Sequence, residues 1–260
     1  KDGLADWCAD RFNFALNLHA TGFDAVTKDA FRLNNAITAF PSDYIIRPNG
    51  KTSAANLTSD DIFDLNVLNL AARRLKLLRP LIRPIKTPLG DIYPVFLSPE
   101  QVHDLRRDDS VWFATMQNAL KGGFLKDNPL FVNALGASQG FVFFEDPYVP
   151  PGLTSGEIQD NTRRAWIGGA QHINLAFGRG RAPKGYGLNR FKWDRETEDF
   201  GHIGQIAATT IVGMKASGYL KPGQAITRPN GIVIETYAAH GLTASDVYEP
   251  WTRAGVDIAS

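Results

Sequence analysis

The chain has a single cysteine, Cys8, so it forms no disulfide of its own and cannot build the zinc frameworks that need several thiolates. Assembly in a reducing cytoplasm suits such a sequence. Long apolar runs are missing too: none approaches the roughly eighteen residues that span a bilayer, and the N-terminus lacks the basic-then-apolar layout of a signal peptide. The expectation is a protein soluble at synthesis, with no membrane partner. Charge of one sign is not in excess, since 28 Lys and Arg stand against 27 Asp and Glu. A balance of +1 excludes a general polyanion binder, and any contact with nucleic acid must be local. There is no fixed-period repeat and no Gly-x-Ser-x-Gly elbow. What is present is 43% apolar residues in a chain of 260, enough for one large core or two smaller ones.

The apolar spacing sets out the elements. Leu4, Trp7, Cys8, Phe12, Ala15 and Leu16 recur at helical intervals and predict a helix over 4–20 that ends before Gly22. Residues 22–57, rich in Asn, Thr, Ser, Gly and Pro, read mostly as loop, with one short strand at Tyr44–Ile46. Thr58 and Asp61 form a capping box in sequence, followed by Ile62, Leu65, Leu68, Ala72 and Leu75 on one helical face as far as about Leu78. Pro80, Pro84 and Pro88 forbid continuation. Ile92–Leu97 is an apolar, aromatic and β-branched run of strand length that feeds a helix capped by Ser98, with Pro99 in its first turn and Gln101 where a capping box needs it.

Val111, Trp112, Met116 and Leu120 predict a further helix closed by Gly122-Gly123, and Phe141–Glu145 a strand. The proline- and glycine-rich stretch 147–156 reads as a crossing between substructures, and a domain change is placed there. Arg164–Ile167, Phe191–Trp193, Ile206–Gly213 and Gly231–Thr236 read as strands, 217–230 as a turn region and 244–260 as a surface-lying tail. Helix, mixed block and strand-rich return do not alternate as a doubly wound sheet does, so the class is α+β.

No constellation assigns chemistry. His19, His103, His172, His202 and His240 are scattered without the four-residue spacing of a helical zinc pair, and His103 reads as a solvated helix residue. Phe177–Gly187, with Arg179, Arg181 and Lys184 among glycines, resembles a phosphate cradle in composition but lacks the P-loop ending and is broken by Pro183. A flexible loop is the reading. Arg73, Arg74, Lys76, Arg79, Arg83 and Lys86 suit a helix C-terminus and its wet face better than a DNA-binding arm. Asp60 and Asp61 are explained by a helix N-terminus, and neither Glu145 with Asp146 nor Glu196, Glu198 and Asp199 shows the convergence that acid catalysis needs. Cys8 reads as packing. No catalytic, cofactor-binding or metal-ligating residue is assigned, and no cofactor is expected.

Four motifs carry a resemblance. Asp91-Ile-Tyr-Pro-Val-Phe-Leu-Ser-Pro-Glu-Gln-Val-His-Asp-Leu-Arg106 is similar to the "YxxFLxPxQVxDLR" of major capsid proteins from short-tailed bacteriophages. Asp127-Asn-Pro-Leu-Phe-Val-Asn-Ala-Leu-Gly136 with Gly140-Phe-Val-Phe-Phe-Glu145 resembles that family's "DNPIFxGALGxxxGVVLxE". Ala165-Trp-Ile-Gly-Gly-Ala-Gln171 resembles its "LFxGAQA", and Phe191-Lys-Trp193 with Glu198-Asp-Phe-Gly-His202 its "KW…E…DYG" segment.

The resemblance runs in order from about Asp6 to about Tyr237. It implies the Hong Kong 97-like fold: a spine helix, a peripheral domain from 1–24 and 150–260, and an axial domain from 25–149. It also implies an N-terminal arm and extended loop that nothing here matches, so the chain, which begins at Lys1, reads as the compact part of a longer subunit. The implied role is structural and non-catalytic. The subunit would self-assemble into hexamers and pentamers of an icosahedral virion shell around double-stranded DNA, touched non-specifically, and would assemble in the bacterial host cytoplasm. Portal, scaffolding or decoration proteins are the implied partners. The alternatives are an encapsulin-like compartment shell, an α+β enzyme and a nucleic-acid-binding module.

Overall fold

The computed structural model describes residues 2–26, 29–33, 35–87, 90–108, 114, 134–178, 192–198, 203–220 and 227–239. Four helices are described: α1 Asp2–Thr21, the single turn α2 Asp29–Arg32, α3 Leu65–Leu77 and α4 Pro99–Asp108. The strands are β1 Ile45–Ile46, β2 Ile85–Thr87, β3 Gly90–Leu97, β4 Ala134–Ser138, β5 Phe141–Glu145, β6 Gly152–Thr154, β7 Glu157–Gln159, β8 Thr162–Gly168, β9 Ile173–Phe177, β10 Lys192–Glu198, β11 Ile203–Thr209, β12 Val212–Ala216, β13 Gly218–Leu220, β14 Thr227–Pro229 and β15 Gly231–Tyr237.

One seven-stranded sheet organises them, in the order β1-β15-β8-β3-β5-β4 with β2 paired to β3. β1 with β15 and β3 with β5 are parallel, and the other pairings are antiparallel. Strands on both sides of the expected domain change at 147–156 share this sheet, because β3 pairs with β8 through Val95↔Ile167 and Phe96↔Trp166. Four two-stranded sheets, β6-β7, β9-β12, β10-β11 and β13-β14, lie off it.

β8 is buried along its whole length and β15 along nearly all of its own, so both faces of the sheet are covered. Alternation then divides the residues. Ala165, Ile167, Ile232, Ile234, Val95, Leu97, Phe141 and Phe143 join Val67, Leu68, Ala71 and Leu75 of α3 and Val102 and Leu105 of α4 in the main core. The opposite face carries Arg164, Trp166, Val233, Glu235, Phe96 and Phe144. There Phe96 stacks on Trp166 at 4.1 Å and on Phe144 at 5.2 Å, an aromatic ladder across three neighbouring strands. Each such pair adds about 0.5–1.5 kcal/mol beyond its buried area.

The helix expected over 4–20 is α1, and the reason for its end is visible. Gly22 adopts φ +63°, and a Cβ there would lie 2.5 Å from Phe40 and 2.8 Å from the Thr38 carbonyl, so only glycine closes the helix at that point. Phe23 N–H bonds back to the Leu18 carbonyl at 3.0 Å. The junction after β3 also forms as read: Gln101 N–H donates to Ser98 Oγ at 3.2 Å and Ser98 N–H to Gln101 Oε1 at 3.1 Å, a reciprocal capping box.

The second box differs. Asp61 is buried and accepts from Thr58 N–H and Thr58 Oγ1 within a turn, while α3 begins four residues later with Asp64 as its cap, bonded to Val67 N–H at 2.8 Å. Asp61 is therefore satisfied by its own turn, by Asn49 and by Lys51, not by a helix N-terminus. These hydrogen bonds to the charged form hold its carboxyl below the usual range against the opposing effect of burial.

The reading of 22–57 as loop misses α2 and three short 3-10 turns, and 147–156 holds part of the β6-β7 hairpin. Ile206–Gly213 is two strands, β11 and β12, separated at 210–211, and the turn region 217–230 contains β13 and β14. β4 and β9 went unanticipated. The helix expected from Val111 is described only at Ala114, and the tail at 244–260 lies outside the described residues.

Candidate functional site

Where α1 lies on the sheet, its polar side chains fasten it there. Asn17, fully buried, accepts from Trp166 Nε1–H at 2.9 Å and donates to Asp146 Oδ2 at 2.9 Å. Asn13, one turn earlier, donates to Asp146 Oδ1 at 3.2 Å, and Tyr148 N–H reaches the same oxygen at 2.9 Å. Asp146 is thus a buried carboxylate held by neutral donors from α1 and from its own turn. A group so occupied fixes structure and offers no free base.

Two histidines secure the C-terminal end of α1. His172 Nε2 contacts the Ala20 carbonyl at 2.9 Å, and His19 Nε2 contacts the Arg32 carbonyl at 2.9 Å. Burial lowers the pKa of His172 to about 4, opposed by the backbone at Ala20 and Asn230. Burial also lowers that of His19. Both rings are neutral at physiological pH, and both serve as packing and hydrogen-bonding groups.

An ionic cluster crosses the sheet nearby. Glu235, wholly buried, accepts from Arg164 Nε at 2.8 Å and from Arg47 at 2.6 Å. Arg164 and Glu235 are direct cross-strand partners on β8 and β15, and Arg47 arrives from the end of β1. On the other face of the sheet Gln101 Nε2–H donates to Thr236 Oγ1 at 2.8 Å and to the Arg163 carbonyl at 3.3 Å, tying α4 to β8 and β15.

None of this assembles a reaction centre. Among the described residues no three His, Cys, Asp or Glu side chains come together to hold a metal, and no helix is long and apolar enough to cross a membrane. A half-open cleft of about 140 Å³ is lined by Ala54, Ala55, Leu57, Asp160, Thr162 and Tyr237, with no histidine beside its carboxylate. His103 stands in solvent on α4, its side chain 73% exposed, as read from sequence. Cys8 is a half-buried free thiol on α1. His202, His240, Asp199 and most of the glycine-arginine loop from Phe177 lie outside the described residues. The basic run divides: Arg74 bonds the Asp43 carbonyl and Arg79 the Lys76 and Leu78 carbonyls near the end of α3, while Arg73, Lys76, Arg83 and Lys86 face solvent.

Sequence reasoning overlooked Glu235, Arg164, Arg47 and Asn17. A signal existed for two of them, because Glu235 and Arg164 are charges inside strands otherwise read as apolar, where only a partner makes burial tolerable.

Comparison with known proteins agrees with this structural character. The sequence family described as phage capsid protein matches residues 1–239. No curated protein matches. The solved capsid of Ralstonia phage GP4 has the same fold, with a TM-score of 0.75 and 22% identity over 93% of this chain and 67% of that one. The cyanophage Pam1 capsid is similar at a TM-score of 0.53 and 16% identity, over 86% of this chain and 64% of that one. The chain thus spans about two thirds of the length of both.

Proposed function

The chain belongs to the phage capsid protein family, and we propose that it is the major shell subunit, tiling as hexamers and pentamers into an icosahedral head around double-stranded DNA. Its role is structural, as a component of the virion capsid. The α+β architecture, with a long helix laid on a mixed sheet, agrees with the Hong Kong 97-like expectation. The observation that carries the proposal is the family match over residues 1–239.

The described residues support it in kind. Their buried polar groups are spent on joining α1, α4 and β1 to one sheet, as suits a subunit that must keep its shape while many copies press against it. A closed shell of rings needs complementary patches that meet between neighbouring copies, each contact burying roughly 1,200–2,000 Å². Assembly in the host cytoplasm, contact with packaged DNA and docking of portal, scaffolding or decoration proteins belong to the same proposal. So does the division into a peripheral part, 1–24 with 150–260, and an axial part, 25–149. Their shared sheet favours the two moving as one body.

Electron microscopy of the purified protein tests the reading. Capsomers or closed shells are the expected result. A population that stays monomeric at every concentration tried would overturn it.

A further inference from the structure

Between Asp64 and Asp91 the sequence holds six cations and no carboxylate. Among the described residues none of the six forms an ion pair. Leu70 and Leu77, seven residues apart on α3, are 36% and 61% exposed, and Leu81 on the proline connector is 48% exposed. Exposed Arg73, Lys76 and Arg83 stand among them. A surface of leucines and uncompensated cations is uncommon on a free protein and marks a docking face.

The β10-β11 ribbon has the opposite character. Among the described residues it is a sheet of two strands that pairs with no third, and Arg195–Thr197 and Gly204–Ala207 are exposed. A lone two-stranded ribbon is marginal in water and needs a surface to pack on. Its register sets Glu196 opposite Gln205 and Arg195 opposite Ile206, so the two pairs lie on different faces. Alternate positions 192, 194, 196 and 198 of β10 are Lys, Asp, Glu and Glu, three carboxylates to one cation, against Trp, Arg and Thr at 193, 195 and 197, so the acidic excess falls on the Glu196 register.

We propose that the β10-β11 ribbon of one subunit lies, acidic face down, on the leucine and cation face of α3 and its proline connector in a second copy. The inference rests on the shell-subunit reading, which supplies the second copy. Complementary charge selects the register of such a contact, and the leucines supply the desolvated centre. The leucines also distinguish this occupant from DNA, whose phosphates reward the cations alone.

The test uses the full chain carrying Cys8→Ser, with isotopically light and heavy subunits mixed before assembly. Gln205→Cys with Leu77→Cys is expected to give a disulfide between light and heavy chains inside assembled particles. Ile206→Cys with Leu77→Cys, on the other ribbon face, is expected to give at least about tenfold less. Glu196→Lys, and separately Arg73→Glu with Lys76→Glu, are expected to raise the concentration needed for assembly about tenfold with the melting temperature unchanged, and combining them to restore most of it.

Particles that form normally with the Gln205→Cys, Leu77→Cys pair unlinked, or linked only within one chain, overturn the inference and leave the shell reading intact. Absence of particles from the unmodified chain overturns both. Salt-dependent binding of a short DNA duplex to unassembled subunits, abolished by Arg73→Glu with Lys76→Glu, overturns it in favour of nucleic acid.

Discussion

Glu235→Gln removes one negative charge, preserves the shape of the side chain, and leaves two guanidinium groups in the protein interior. In the parent those groups sit 2.6 and 2.8 Å from the carboxylate, and the side chains of Arg164 and Arg47 are only 4% and 10% exposed. Removing one member of a buried ion pair costs about 3–5 kcal/mol, chiefly through the charge left without a partner. With a urea dependence of about 3 kcal/mol per molar, the unfolding midpoint should fall by about 1–1.7 M. Because the carboxylate is wholly buried, the deficit should persist in about 0.5 M salt, where exposed pairs are largely screened. Arg107→Ala is the control: that arginine is 63% exposed beside Asp104, and its loss should cost less than about 1 kcal/mol. A Glu235→Gln variant within about 1 kcal/mol of the parent, or one restored by salt, would refute the assignment of these three residues to a desolvated cluster.

Three further outcomes follow from the described geometry. His172, neutral when folded with a pKa of about 4 against 6.5 unfolded, makes stability full above pH 6.5 and progressively lost as pH falls towards 4, by about 3 kcal/mol in all; urea midpoints across that range check it, and His172→Phe should flatten the dependence. Gly169→Ala would place a Cβ 2.7 Å from Ile82 and 2.8 and 2.9 Å from the Asn230 and Arg83 carbonyls, so calorimetry should show a loss of about 1–3 kcal/mol or more. Trp166→Phe keeps most of the aromatic ladder but leaves the buried Asn17 Oδ1 without its donor, an expected loss of about 1–3 kcal/mol in denaturant titration.

The legible parts of the fold were those decided by neighbours in sequence. Ser98, Pro99 and Gln101 settle the start of α4 among themselves, and Gly22 ends α1 by a backbone angle that other residues resist. The Thr58–Asp61 pair shows the limit of such local reasoning, since the same hydrogen-bonding residues close a turn as readily as they open a helix. Short hairpins such as β6-β7 and β13-β14 are only three residues per strand and carry too little alternation to stand out. The Glu235 cluster depends on residues 71 and 188 positions away, and nothing local announces which partner arrives. The four family motifs, by contrast, pointed to the capsid family that matches residues 1–239.

The order of strands also governs timing. β15 fills the gap between β1 and β8, so an interior strand of the sheet is supplied by residues 231–237 after both of its neighbours have been synthesised. A nascent chain that has not yet exposed those residues outside the ribosome carries two open strand edges and an unmatched Arg164, and holds no finished outer form. Completion of the fold in the individual molecule therefore waits on its late-made strand.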